Sequence, residues 1–368
     1  MNELDALNVA RLIPKETLLG LLSGANTLHG GVVRDMGGRI VAHLAMPATA
    51  TSLVPGLGWV ADAFQTYQLA AIGLNLKRVE SQVSSVLQLT TATTALAGLN
   101  LAVAVVGFAY LAKKLGEMNA RLERVEKTTV KIKTILEAVQ HSHLQTAIDS
   151  LRDASKASDA QTRHGLLLQS KQAFNQLVHQ YQQLWKQEDS IEALEALDDC
   201  HTIAMVGVAL SLNELGMGEQ AHEEFARHRQ TWQNLARGYC KDKVLRTDPQ
   251  RLLHHRHLKS IPGDGLIALL DFANQSERGV GWLDELRRMD AKASILSVPS
   301  FGTEEATLQF ARKLVAKDEV LDGYEAHFAF LGQHKIVAHE FDKRIEQATK
   351  QAQNDGPLWI TLSEPKAA

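Results

Sequence analysis

The sequence predicts a mainly α protein built around one long apolar and coiled-coil helix, and three observations carry that prediction. The stretch Ser81–Ala112 has no charged residue between Glu80 and Lys113. A run of alternating three- and four-residue apolar steps overlaps its end and continues past it with no proline. The whole chain has only 8 Pro and 5% aromatic residues, with Ala, Leu, Gln and Glu abundant, which favours helix throughout. At 368 residues it is long enough for two or three domains. We divide it into 1–45, an N-terminal helix and small β-hairpin; 46–143, an apolar hairpin and long coiled-coil stem; 144–290, a helical bundle domain; and 291–368, a helical segment with a terminal strand.

Bulk charge narrows the function classes. The 39 Lys and Arg against 42 Asp and Glu give no general case for nucleic-acid binding. Locally, 77–143 carries nine basic residues against five acidic ones, which suits anionic headgroups or salt-laced coiled-coil flanks. Two cysteines, Cys200 and Cys240, cannot form a disulfide framework. The opening MNELDALNVAR is acidic where a signal peptide needs a basic start, so synthesis in the cytoplasm without a Sec signal peptide is expected, with membrane association or insertion on activation.

In residues 1–29, Pro14 begins and Gly24 ends an amphipathic helix candidate. Val32–Val33 and Ile40–Val41 flank Asp35-Met-Gly-Gly38, where glycine accepts the positive φ of a tight reversal, so a small hairpin is expected. In 46–76, Pro47, Pro55, Gly56 and Gly58 rule out one straight spanning helix and leave either a short re-entrant or interfacial segment or a helix-turn that packs against the apolar run after it. Gly56-Leu-Gly58-Trp-Val-Ala61 fits a dinucleotide-binding pattern, but Pro55 stands where the strand should end and no βαβ alternation follows.

Leu89–Ala112 supplies 24 mostly apolar residues. About 20 in a helix cross a bilayer core of about 30 Å. We assign Leu96, Gly98, Leu101, Ala102, Val105, Gly107 and Phe108 to membrane insertion, the small residues among them allowing close helix contact. Leu115, Met118, Leu122, Val125, Ile132 and Leu136 continue the heptad seam as an oligomerisation stem. The same seam equally serves a buried bundle helix.

Beyond Val139, residues 144–157 read as helix and Ser155–Thr162 as a loop. Leu167, Ser170, Phe174, Leu177, Tyr181 and Leu184 mark one buried helical face. The helix pair from Ile191 to about Gly238, with Ala209, Leu215-Gly216, Ala221 and Phe225 in A-x3-F spacing, resembles a tetratricopeptide-type repeat, which implies a protein-binding surface. His254, His255 and His257 form a basic patch and a candidate pH sensor. Helices follow at Leu266–Asn274, Trp282–Met289, Ala306–Ala316, Tyr324–Leu331 and Ile336–Gln353, and the tail after Gly356-Pro357, LWITLSEPKAA, is expected to make one strand that could pair with the N-terminal hairpin.

No motif signals catalysis: His339-Glu340 is followed by Lys343 where a zincin has His, and there is no phosphate-binding loop or nucleophile elbow. No cofactor or metal is expected. The organisation over about 45–140 resembles that of α-helical pore-forming toxins, whose long helices shelter an apolar segment before insertion. That resemblance implies a membrane-active effector that inserts an apolar helix or hairpin into a lipid bilayer and oligomerises. The alternative is a non-enzymatic coiled-coil scaffold or structural oligomer binding other proteins through its C-terminal helices.

Overall fold

The computed structural model describes residues 7–10, 15–23, 25–29, 32–45, 141–254, 257, 260–261, 263–292, 304–341 and 358–362. The apolar hairpin and coiled-coil stem assigned to 46–143 lie almost wholly outside them. What is described is a mainly α body with one small sheet.

Strands β1 (Leu7–Ala10), β2 (Asn26–His29), β3 (Val32–Asp35), β4 (Ile40–Ala45) and β5 (Leu358–Leu362) form an antiparallel sheet in the order β1-β5-β4-β3-β2. The expected hairpin is β3–β4. Gly38 takes φ +80 in its turn, and the Asp35 carboxylate accepts the backbone N–H groups of Gly37 and Arg39, each at 2.9 Å. The terminal strand pairs with it as the sequence suggested, His43 opposite Ile360. Sequence reading missed β1 and β2, which bracket helix α1 (Lys15–Ser23). Both are only four residues long, too short for an alternating pattern to stand out.

Helices α2 (His141–Lys156), α3 (Ala160–Gln187), α4 (Ile191–Glu214) and α5 (Gly218–Tyr239) follow one another up and down. Their boundaries have local causes. Asp159 caps α3, accepting the Thr162 N–H at 2.7 Å, and that bond with the Thr162 side chain holds the carboxyl below its ordinary pKa. Ser190 caps α4. The α4–α5 turn is a Schellman motif: Gly216 takes φ +77, its N–H reaches the Asn213 carbonyl, and the Met217 N–H reaches Leu212. After α5 come a π-helical turn, Cys240–Leu245, and a 3-10 turn, Pro249–Leu253. Then follow α6 (Gly263–Asn274), α7 (Gly281–Lys292) and α8 (Glu304–Gln333).

Helix α8 corrects the sequence reading. Two helices, Ala306–Ala316 and Tyr324–Leu331, are expected from the sequence; one continuous helix of 30 residues is found, and Lys317 falls in the gap between the two. There it makes an ion pair with another helix, described below.

Helix α3 packs between α2 and α4, while α8 lies across α5 and α4. One buried cluster runs through them, from Leu144, Phe174 and Val208 to Trp232, Phe310 and Phe328, and it includes Val32 of β3. Glycines permit two close approaches. A Cβ on Gly207 would stand 2.6 Å from the Phe174 ring, and one on Gly218 would stand 2.6 Å from the Cα of Gly332, where α5 crosses the end of α8.

Candidate functional site

The polar centre of the body lies where α4, α5 and α8 meet. Asp198 and Asp199 follow the first two turns of α4, and Lys317 enters from the middle of α8, fully buried. The Lys317 ammonium donates to Asp198 Oδ2 and, at 3.2 Å, to Asp199 Oδ1; the Trp232 indole N–H donates to Asp198 Oδ1 at 2.7 Å. Both partners of Asp198 can only donate, so both its oxygens must accept, and the group is held as a carboxylate. Burial pushes its pKa up, and the pull of Lys317 offsets that only in part. For Lys317 itself, burial opposes the charge, but the two carboxylates outweigh it and hold the ammonium above the ordinary lysine value. Beside this centre, burial pushes the Cys200 thiol up to about 12, which leaves it inert as a nucleophile.

A second charge cluster joins the helices to the sheet. Arg229 of α5 donates to Asp322 at 2.8 Å, Glu325 at 2.9 Å and Asp318 at 3.2 Å, all on α8. Arg34 of β3 reaches the same Asp322, with its carboxylate and its backbone carbonyl each at 2.8 Å. Asp322 is therefore shared by an arginine from the bundle and one from the sheet.

A third cluster fixes the chain after α8. The Asn213 side chain accepts the Ala338 N–H at 2.6 Å and donates to the Ile336 carbonyl at 3.1 Å. Buried Glu214 accepts the His339 N–H at 2.8 Å and Arg163 at 2.7 Å, with His339 Nδ1 also at 2.7 Å. A groove of about 250 Å³ opens nearby, lined by Asn213, Gly218, Gln220, Gly332, Lys335 and Ile336. Asn213 already uses both ends of its amide within the protein, so these contacts organise a chain reversal.

The fourth cluster is made of histidines. His201 of α4 and His228 of α5 are each 2% exposed, and His179 of α3 lies edge-on to His228 with ring centroids 6.1 Å apart. His201 Nε2 faces the Gln182 amide nitrogen at 3.2 Å, while its Nδ1 has no hydrogen-bond partner among the described residues. His228 Nε2 has none either, with Glu224 at 3.5 Å. Burial first, then the cations and imidazoles nearby, hold His201 down to about 3 and His228 down to about 4.

Of the residues singled out from sequence, Leu96, Gly98, Leu101, Ala102, Val105, Gly107 and Phe108, and Leu115, Met118, Leu122, Val125, Ile132 and Leu136, all lie outside the described residues. The histidine patch is divided: His254 is exposed, His257 is buried, and His255 is not among the described residues. The buried histidines, by contrast, were missed. A local sign of them existed in Asp198-Asp-Cys-His-Thr202, a polar run opening directly into the apolar Ile203–Leu210. Such a run inside a helix marks polar groups that must find partners in the core.

Among the described residues no group of three or more His, Cys, Asp or Glu is placed to hold a metal ion, and no helix is long and apolar enough to cross a membrane. No protein-family model, curated protein or solved structure matches the chain.

Proposed function

We propose that the protein is a membrane-active helical effector. A packed helical body carries the apolar segment, which inserts into a lipid bilayer and associates with further copies to disrupt it or form a pore. The observation that carries this reading is the run without charge from Ser81 to Ala112, followed at once by Lys113 and Lys114 and by a basic heptad seam. Its place in the chain supports the same reading. Residues 46–140 leave after β4 and return at α2, while β3 and α2 both contribute to the buried cluster of the body. In sequence the segment thus lies between two parts of one packed body.

The test is liposome co-flotation with dye release, using the full chain at pH 7 and pH 5 on neutral and anionic vesicles. Flotation with leakage, lost on Gly98→Glu and Val105→Glu while the body stays folded, is the expected result. No flotation under any condition would overturn the proposal in favour of a protein-binding scaffold, for which the α4–α5 hairpin and its tetratricopeptide-like pattern would supply the surface.

A further inference from the structure

The buried histidines form a cluster with a specific electrical property: its core has room for neutral rings and none for charged ones. A neutral imidazole needs one donor and one acceptor, whereas a protonated ring needs two acceptors. Around His201 neither is offered. Gln182 presents an amide donor to Nε2, and Nδ1 meets no acceptor among the described residues. The titratable and charged groups bearing on it come from every side: His228 from α5, Lys317 from α8 and His179 from α3, none of them an anion. Lys317 is in turn engaged by Asp198 and Asp199.

His228 has one carboxylate within reach, Glu224, a turn earlier on α5. Arg227 already holds that carboxylate, and Lys171 of α3 also bears on it. Arg227 and His179 both oppose a charge on His228. The two rings lie among α3, α4 and α5, each 2% exposed.

We propose that His201 and His228 are an acid-sensitive lock: neutral, they let α3, α4 and α5 close, and protonated, they drive these helices apart. As a trigger for releasing the apolar segment, the lock rests on the membrane-active reading; as a property of the helical body, it does not. The direction follows from proton linkage. Both groups bind protons less readily folded than unfolded, so their contribution is complete above an unfolded histidine pKa of about 6.5 and is lost as pH falls below it. Each ring then costs the folded state about tenfold in its equilibrium constant per pH unit, so the pair costs about a hundredfold per unit between about pH 6.5 and pH 4.5.

The experiment uses the full chain and the variants His201→Gln, His228→Gln and the double substitution. Urea unfolding is followed by tryptophan fluorescence from pH 7.5 to pH 4.5, in parallel with dye release from anionic vesicles. The wild type should lose stability steeply over this range. The double variant should lose at least a hundredfold less in its folding constant, and its leakage should begin at lower pH. A double variant with the wild-type slope would overturn the lock. Should the variants fail to fold at pH 7, the imidazole resonances of the wild type decide: neither ring should titrate before the body unfolds, and a folded-state midpoint near 6.5 for both would overturn the lock. Loss of the slope with no leakage from any variant would keep the lock and overturn the membrane reading. Leakage with one pH profile in wild type and double variant would keep the membrane reading and overturn the lock as its trigger.

Discussion

Replacing Lys317 by methionine keeps most of the side-chain length and removes the charge from the centre of the body. Asp198, 3% exposed, would then keep one donor, the Trp232 indole N–H, and an unbalanced buried charge. Breaking a buried pair from one side costs about 3–5 kcal/mol. The protein has one escape, which is to protonate Asp198. From the ordinary carboxyl value of 3.8, holding a proton at pH 7 costs about 4.4 kcal/mol and at pH 5 about 1.6 kcal/mol, at about 1.36 kcal/mol per unit. The electrostatic loss is therefore capped by the cheaper route and must shrink on acidification. We expect Lys317→Met to lose about 3–4 kcal/mol at pH 7 and less than about 2 kcal/mol at pH 5, each relative to wild type at the same pH. Adding Asp198→Asn removes the orphaned charge and should recover most of the loss at pH 7. The assay is urea unfolding read by tryptophan fluorescence. A loss below about 1 kcal/mol at pH 7, or a double variant no more stable than the single one, would refute the reasoning.

The glycine contact between α5 and α8 and the shared Asp322 give two further predictions. Gly218→Ala should destabilise by about 1–3 kcal/mol, because its Cβ meets the Gly332 backbone, whereas Gly165→Ala and Gly238→Ala meet nothing within 4 Å and should stabilise their helices by about 0.5–1 kcal/mol; thermal unfolding of the three variants separates the cases by sign. Arg34→Ala removes the ion pair between β3 and α8, both of its groups partly exposed, and should cost about 1 kcal/mol. Its signature is faster hydrogen exchange in β2–β4 with α3–α5 unchanged; unaltered protection of those strands would show that Arg34 does not hold the sheet to α8.

How far the sequence could be read depended on the range of the contacts involved. The 3–4 spacing from Leu167 to Tyr181 found the buried face of α3, since helix geometry is local; Leu184, at its end, is only half-buried, and Gln182 and Trp185 were not in the pattern. Gly216 and Gly38 marked their turns because a positive φ is written into glycine. Lys317, which falls between the two helices expected in place of α8, is the opposite case. A lysine in an apolar pattern reads as a break unless the carboxylates that neutralise it are known, and these stand about 120 residues earlier in the chain. His201 was hidden in the same way: its burial depends on α3, α5 and α8 closing around it. The pairing of the terminal strand was legible only as a possibility of composition, and its partners, β4 on one side and β1 on the other, were settled by tertiary structure.

The placing of β5 between β1 and β4 has a consequence for synthesis. Among the described residues β1 is paired with β5 alone, so it waits for a partner that the ribosome makes roughly 350 residues later, which at roughly 5–20 residues per second is on the order of tens of seconds. During that interval the apolar segment has already been synthesised while the sheet is half built. Until β5 arrives, the fold covers neither β1 nor the edge of β4 that β5 will occupy.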